Sequence, residues 1–167
     1  MLNTIADIEG ITVGHSSDFA GYTGCTVVLC EKGAVCGIDV RGSASGTRQV
    51  DALNVSHIVE HIHAILLAGG SSFGLDAASG VMRYLEEKIV GFDVGVTRVP
   101  IVCGAALFDL HIGDHRVRPD KAMGRAACSH ASTTTCLQGS VGAGTGATVG
   151  KIQGMDMEGG FQVIKAH

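Results

Sequence analysis

The segment that most constrains the fold of this chain runs from residue 64 to residue 87. It begins with a short apolar run, residues 64–68, which has no helical period and predicts a buried strand. Two glycines and two serines then interrupt the strand with turn-forming residues, and from Leu75 onward apolar residues recur at helical spacing. Ser71 or Ser72 can cap this helix. A strand, a glycine turn and a helix N-terminus in succession leave backbone N–H groups free to meet a ligand.

The turn contains a G-x-S-x-G pattern, residues 70–74, which has two interpretations. In a strand-to-helix context the pattern can be the nucleophile elbow of a serine hydrolase, with Ser72 as nucleophile. It can equally be a tight strand–helix junction whose serine caps the helix. The pattern is short and the chain contains 25 glycines, so the pattern alone does not decide between them.

The composition predicts one globular domain, residues 1–167, and excludes several functional classes. The chain is 46% hydrophobic and 17% charged, and it is long enough to bury a core. Its net charge is −4 and it has no run of Lys or Arg, so we expect no binding to nucleic acid or acidic membranes. Without a membrane-length apolar stretch or a signal-peptide pattern, we expect a cytoplasmic protein.

The cysteines and histidines form no metal or cofactor motif. The six cysteines contain no C-x-x-C pair, and we expect reduced thiols that mostly pack in the core. His57 and His61 would share a face if residues 51–63 were partly helical, but without a nearby third ligand we expect no metal. The glycine-rich residues 139–151 match neither a phosphate-binding loop nor a dinucleotide fingerprint, so no cofactor is expected.

β-rich runs and turn signals predict the remaining elements. Residues 11–15 predict a first strand, and the runs 26–30 and 34–41, on either side of a turn at residues 31–33, predict a hairpin. Residues 94–102 predict short strands broken by Pro100. Pro119 and Asp120 precede a small-residue helix predicted over residues 121–131.

Four segments, taken in order, resemble one known family. They are residues 41–48 (RGSASGTR), 67–78 (LAGGSSFGLDAA), 98–102 (RVPIV) with 107–110 (LFDL), and 142–147 (GAGTGA) with Lys151. Together they resemble the N-terminal half of the L-aminopeptidase/D-esterase family, which includes β-peptide aminopeptidases and the nylon-oligomer hydrolase. The resemblance extends over nearly the whole chain, from residue 8 to residue 151.

The resemblance implies an α+β fold, the αββα sandwich of the aminopeptidase/ornithine-acetyltransferase type, here incomplete at the C-terminus. Members of the family cleave themselves to free an N-terminal Ser or Thr nucleophile. The new α-amine, with a pKa of about 8, is suited to act as its base. The resemblance further implies a small peptide or amide substrate, no cofactor, and assembly into homo-oligomers.

Particular residues take roles from the same resemblance. The serine loop belongs to the scaffold around the active site, and Gly70, Ser71, Thr145 and Phe108 fall at positions that line the substrate site. Phe108 stands where some members carry Tyr, so a hydroxyl is lost there. Lys151 corresponds to a supporting Lys near the nucleophile. The nucleophile itself lies beyond that Lys in the family, and residues 152–167 offer no counterpart, so we expect it to be absent from this chain.

Three functions remain open on the sequence. The first is the N-terminal part of an aminopeptidase or amidohydrolase that needs a missing C-terminal chain as its partner. The second is a non-catalytic oligomeric remnant or binding protein. The third is a small serine hydrolase that uses Ser72, for which Asp114, His115 and His130 follow in the required order.

Overall fold

The computed structural model describes residues 3–54 and 56–151, together with the backbone of residues 162 and 163. Its strands are β1 (Thr12–Asp18), β2 (Thr23–Ala34), β3 (Thr47–Arg48), β4 (Ile62–Ala68), β5 (Phe92–Asp93), β6 (Arg98–Val99), β7 (Val102–Ala106), β8 (Thr148–Val149) and β9 (Gln162–Val163). Its α-helices are α1 (Ala77–Glu87) and α2 (Lys121–Ser129). Short 3₁₀ helices span Ile5–Asp7, Val50–Leu53, Ser71–Asp76 and Gly142–Gly144.

In the described part of the chain, five strands form the main sheet in the order β1-β2-β4-β7-β3. Neighbouring strands are antiparallel except β4 and β7, which run parallel and are joined through α1. Parallel strands need such a crossover connection, whereas antiparallel strands need only a turn. Because β4 and β7 are parallel neighbours, the turns that follow them meet at the same edge of the sheet.

The strand register divides the apolar residues between two faces of the sheet. Val27 of β2 pairs with Leu66 of β4, while Thr26 pairs with Leu67. Directly paired residues point to the same face, and successive residues point to opposite faces. Leu66 is fully buried, but its neighbour Leu67 is 42% exposed. The two faces therefore differ in how well they are covered.

Both α-helices pack on the face that carries Leu66. The core between the sheet and the helices combines small and branched side chains from β2, β4, β7, α1 and α2. α2 lies so close to β1 that a Cβ on Gly14 of β1 would overlap the carbonyl of Ala127 in α2. Likewise, a Cβ on Gly124 of α2 would overlap the carbonyl of Ala77 in α1. Glycine is thus required at these positions by packing.

The opposite face is only partly covered. At one end, Cys36, Val50 and Leu53 pack over a small cluster of buried residues that includes Cys30 and Cys103. At the other end, the loop of residues 137–144 lies over the sheet. Leu67 stays exposed on this face. A sheet that is helix-covered on one face and partly bare on the other is one half of the predicted αββα sandwich.

Several predicted elements are confirmed. The strand–turn–helix of residues 64–87 is present as β4, the glycine turn and α1, and Pro100 separates β6 from β7. The helix predicted after Pro119 is α2, and the side chain of Asp120 accepts a hydrogen bond from the backbone N–H of Met123 at its start. The predicted caps from Ser71 or Ser72 are wrong, because neither the 3₁₀ helix nor α1 has a side-chain cap.

The predicted hairpin at residues 31–33 is also wrong. β2 continues through these residues to Ala34, and its antiparallel neighbours are β1 and β4. Residues 35–46 have no regular structure. The predicted helical stretch of residues 51–63 is limited to the 3₁₀ turn Val50–Leu53, so His57 and His61 do not share a helical face.

No helix among the described residues has the length and apolar character needed to cross a bilayer.

Candidate functional site

The glycine turn after β4 meets the end of β7 through backbone hydrogen bonds. The N–H of Leu107 donates to the carbonyl of Ala68 at 2.9 Å, and the N–H of Ser71 donates to the carbonyl of Leu107 at 3.0 Å. Gly70 and Ser71 have φ values of +74° and +55°, in the left-handed region. Such a conformation favours glycine and is uncommon for serine, so the turn is held in place by its surroundings.

A buried carboxylate, that of Asp109, fixes the turn from the other side. Asp109 is 4% exposed. Its Oδ1 accepts from the Gly70 N–H at 2.6 Å, and its Oδ2 accepts from the Thr23 hydroxyl at 2.8 Å. A buried charge is tolerated when hydrogen bonds satisfy it. Asp109 thus joins the beginning of β2, the turn after β4 and the segment after β7.

Two glycines make room for this carboxylate. A Cβ on Gly69 would overlap Asp109 Oδ2, and a Cβ on Gly146 would lie 3.1 Å from the same oxygen while overlapping the carbonyl of Tyr22. The second glycine belongs to the glycine-rich loop near the end of the described chain. Asp109 therefore packs among three of the four segments that carry the family resemblance.

The glycine-rich loop is anchored to β1 and β2 by side-chain hydroxyls. The N–H of Gly142 donates to Ser17 Oγ at 2.7 Å, and the N–H of Ala143 donates to Thr26 Oγ1 at 3.1 Å. Thr145 is 3% exposed, and its hydroxyl donates to the carbonyl of Gly142 at 2.8 Å. These contacts hold the loop over the partly bare face of the sheet.

A cavity of about 480 Å³ lies between this loop and the sheet. Its walls include Leu67 of β4, Ala105 of β7 and Gly144 of the loop, and His15 and Thr26 stand on the β1–β2 side. The Nδ1 atom of His15 is 2.9 Å from Thr26 Oγ1. Burial lowers the pKa of His15 and so favours the neutral imidazole, while a hydrogen bond with the Leu137 backbone has a smaller, opposite effect.

None of the sequence-predicted site residues lines this cavity, although some of them lie in segments beside it. Gly70 and Ser71 form the turn, and Phe108 follows cavity-lining Leu107 directly. Phe108 is 41% exposed and its ring meets His111 edge-on, with the centroids 5.1 Å apart. The ammonium of Lys151 donates to the carbonyl of Thr148 at 2.6 Å. Their roles in substrate binding or catalysis stay predictions, as does the expected absence of a nucleophile in residues 152–167, which apart from the backbone of β9 lie outside the described residues.

The geometry gives Ser72 no catalytic base. Within the described residues the Ser72 hydroxyl has no hydrogen-bond partner, although Ser72 itself is exposed. Asp114 is instead bound by Arg116 at 2.9 Å, and these hydrogen bonds lower its pKa to about 2. His130 Nδ1 lies 3.1 Å from the carbonyl of His15. Two of the three residues that could complete a serine triad therefore have partners of their own.

No metal centre is formed in the part of the chain that the structure describes, and burial keeps four of the six thiols protonated. No group of three or more His, Cys, Asp or Glu side chains there could hold a metal ion. All six cysteines are free thiols. Burial raises the pKa of Cys25 and Cys128 to about 12, and that of Cys30 and Cys103 to about 11, so these four stay protonated at neutral pH.

Sequence reasoning missed Asp109 and Thr23 as parts of the site. The signal for Asp109 is a single acidic residue inside the otherwise apolar run of residues 105–110. A charge in such a run is either exposed or buried with partners, and here it is buried. Thr23 carries no comparable signal, because its partner is 86 residues away in the chain.

Comparison with known proteins gives a consistent result. The sequence model of peptidase family S58 matches residues 3–155. An uncharacterized aminopeptidase of Mycobacterium leprae is 44% identical over 92% of this chain and 46% of its own length. A 6-aminohexanoate-oligomer endohydrolase of Kocuria sp. is 37% identical over 87% of this chain and 39% of its own. The chain thus spans about half the length of these curated relatives.

Solved structures show the same fold at lower sequence identity. The L-aminopeptidase D-Ala-esterase/amidase of Ochrobactrum anthropi, described as a variant of the Ntn-hydrolase fold, superposes with a TM-score of 0.73 at 15% identity. That match covers 89% of this chain and 45% of the other. A β-aminopeptidase of Burkholderia sp. gives a TM-score of 0.64 at 20% identity, over 90% of this chain and 44% of its own. The family resemblance and the α+β sandwich predicted from the sequence are confirmed.

Proposed function

Since the chain belongs to peptidase family S58, we propose that it is the N-terminal part of an amide-bond hydrolase of the aminopeptidase type. In this proposal, a C-terminal segment covers the bare face of the sheet. Self-cleavage frees the N-terminal Ser or Thr of that segment, which then acts as the nucleophile. The substrate is a small peptide or amide. The assembled enzyme forms homo-oligomers in the cytoplasm, and free thiols at all six cysteines agree with a reducing compartment.

The observation that carries this proposal is the cavity at the ends of β4 and β7. Its volume of about 480 Å³ falls within the range of about 300–1,000 Å³ of small-molecule sites. It opens on the face where Leu67 is exposed, so a second layer packed there would close it. The part that this chain matches is about half of each relative, so the relatives have about as many residues again, which is enough for that layer.

Lys151 takes the supporting role in this proposal. It ends the glycine-rich loop, and its ammonium is held against the Thr148 carbonyl, with its side chain partly buried. A fixed cation beside a nucleophile favours the anionic form of the reacting group and helps to orient it. Phe108, Gly70, Ser71 and Thr145 do not line the cavity itself. In this proposal they extend the substrate site from the segments beside the cavity, where Phe108 offers contact area without a hydroxyl.

The test is to supply the missing half. The chain is co-expressed with the C-terminal half of the Mycobacterium leprae relative, and the complex is assayed on amino-acid p-nitroanilides and amides. We expect turnover by the complex and none by the chain alone. Lys151→Ala should lower the rate of the complex about a hundredfold, as expected for loss of a key electrostatic group. Lys121→Ala, which removes an exposed ammonium at the start of α2, is the matched control and should leave the rate unchanged.

Other outcomes identify the competing functions. Turnover by the isolated chain that survives Ser72→Ala would mean that the chain contains a nucleophile of its own. Turnover that Ser72→Ala abolishes would favour the serine hydrolase. A stable complex without turnover would favour the non-catalytic binding protein, for which the missing hydroxyl at Phe108 is the motivating observation.

Self-association of the isolated chain is a second part of the proposal. The bare face exposes Leu67, and soluble proteins normally cover contiguous apolar surface. Sedimentation of the chain alone should show oligomers at micromolar concentration. A stable, compact monomer would contradict this expectation.

A further inference from the structure

A second pocket lies at the other end of β4, away from the glycine turn. Its volume is about 410 Å³. β4 has seven residues, and strand residues rise about 3.3 Å each, so this pocket and the turn are separated by about 20 Å. The chemistry-bearing side chains that line it are those of Lys32, Glu60, His61, His63, Asp93 and Arg98. None of them belongs to the site proposed for amide hydrolysis.

An irregularity in the β2–β4 ladder creates the pocket. Leu29 pairs with Ala64, and the next pair is Ala34 with Ile62. Residues 30–33 of β2 therefore stand opposite His63 alone, where a regular ladder would have one residue. Extra residues of this kind bend a strand and redirect side chains, and they are frequent beside functional sites. Here the bulge separates the two strands around His63.

His63 presents an unpaired hydrogen-bond donor to this pocket. It is 7% exposed, and its Nδ1 accepts a hydrogen bond from the Ile101 backbone N–H at 3.1 Å. In a neutral imidazole one nitrogen accepts and the other donates, so the hydrogen resides on Nε2. That N–H has no partner among the described residues. Burial, followed by repulsion from His61 and Arg98, lowers the pKa of His63 and keeps this tautomer neutral.

The tautomer determines which kind of ligand fits. A histidine nitrogen that binds a metal must offer a lone pair, and Nε2–H does not. The pocket is therefore unsuited to a cation held by His63, although it contains two histidines and two carboxylates. A ligand at its base must instead accept a hydrogen bond.

The rim supplies further donors. The Lys32 side chain is 83% exposed and its ammonium is 3.9 Å from Glu9, a weak contact that leaves its charge available. Arg98 donates to Asp93 at 3.3 Å and to the Gly91 carbonyl at 3.4 Å, which leaves other N–H groups of its guanidinium free. Asp93 is balanced by this pair. Glu60 is the opposing charge, and it is exposed to water that screens it.

We propose that this pocket binds a small oxyanion, a carboxylate or a phosphate, which accepts hydrogen bonds from His63 Nε2 at the base and from Arg98 and Lys32 at the rim. This binding is independent of the proposed hydrolysis, and no residue is shared between the two sites. Charge-assisted hydrogen bonds from Arg and Lys to such anions are among the stronger ones in proteins.

The experiment records the imidazole ¹H–¹⁵N signals of His63 in the full chain while sodium acetate or inorganic phosphate is added in separate titrations at constant ionic strength. We expect a saturable shift of the Nε2 signal with at least one of them. Saturation by acetate identifies a carboxylate site, and saturation by phosphate alone identifies a phosphate site. His63→Phe, followed through the imidazole signals of His61, should remove binding while leaving the four charged side chains of the pocket in place.

Exposed variants keep the test independent of folding. Lys32→Ala and Arg98→Gln should each weaken binding roughly tenfold, the effect of losing one charge-assisted hydrogen bond. Glu60→Gln, which removes the opposing charge, should strengthen it, and Lys121→Ala on α2 is the matched control. The proposal is overturned if neither anion gives a saturable His63 shift, or if Lys32→Ala and Arg98→Gln bind as tightly as the control.

Discussion

Removing the carboxylate of Asp109 should destabilise the chain more than any exposed substitution. Asp109 accepts one hydrogen bond from the Gly70 N–H and one from the Thr23 hydroxyl, and it is 4% exposed. Each hydrogen bond to a charged group contributes about 1.5–3 kcal/mol, so loss of both in Asp109→Ala should lower the free energy of unfolding by about 3–6 kcal/mol. The loss includes the cost of leaving a buried N–H without an acceptor.

Milder variants separate the two hydrogen bonds. Asp109→Asn keeps an acceptor for Gly70, and its amide can donate to the Thr23 oxygen, so we expect a loss of only about 1–2 kcal/mol. Thr23→Val removes one hydrogen bond without changing the side-chain volume much and should cost about 1.5–2 kcal/mol. The double variant Thr23→Val, Asp109→Ala should lose less free energy of unfolding than the sum of the two single losses, because both substitutions remove the same hydrogen bond.

Urea unfolding followed by circular dichroism measures these changes in the isolated chain or in the reconstituted complex. Asp114→Ala is the matched control, since this side chain is 37% exposed and its carboxylate hydrogen-bonds locally, to Arg116. Its free energy of unfolding should change by less than about 0.5 kcal/mol. The reasoning is refuted if Asp109→Ala is as stable as this control, or if the effects of Thr23→Val and Asp109→Ala are fully additive.

Two further predictions concern packing and pH. Gly124→Ala should lower the free energy of unfolding by about 1–3 kcal/mol, because the new Cβ would overlap the Ala77 carbonyl. In the control Gly37→Ala the new Cβ meets nothing within 4 Å, so this variant should be neutral or slightly stabilising. Equal urea midpoints for the two variants would contradict this. Burial lowers the pKa of His15 and of His63 below the usual histidine value of about 6.5, so the unfolded chain binds more protons than the folded one. The stability that these two histidines contribute is therefore fully present above about pH 6.5 and is lost as the pH falls toward their folded-state pKa values. Urea midpoints measured from pH 7.5 to about pH 5 should therefore decrease, and His15→Gln should reduce the slope; an increase on acidification would contradict the linkage.

Elements with a local signal were predicted from the sequence. The apolar run before Gly69 and the helical spacing after Leu75 correspond to β4 and α1, because burial on both faces or on one stripe leaves a pattern in the sequence itself. The hairpin at residues 31–33 was wrong for the complementary reason. β2 pairs with β1 and β4, and Gly33, the glycine that predicted a turn, lies in the bulge opposite His63. Such pairing depends on distant strands and leaves no local pattern.

The candidate site shows the same division. Its glycine turn was visible because Gly70 sits in a left-handed conformation that favours glycine. The group that fixes the turn was not visible, since Asp109 lies 39 residues from Gly70 and 86 from Thr23. Likewise, the position of the hydrogen on His63 Nε2 follows from the hydrogen bond that Nδ1 accepts from the Ile101 backbone N–H, 38 residues away. Charges and tautomers of this kind follow from tertiary contacts, so they need the structure.

Two adjacent leucines of β4 show why stability and activity should be coupled in the assembled protein. Leu66 is fully buried beneath the helices, whereas Leu67 points to the other face and is 42% exposed. Full burial of a leucine contributes about 1.5–3 kcal/mol to stability. Covering the second face would bury Leu67 and add part of this free energy, which the isolated chain lacks. The same cover would close the cavity beside Leu67 and exclude water from it. In the proposed enzyme, one association step therefore stabilises the sheet and encloses the site, and variants of Leu67 should affect both properties together.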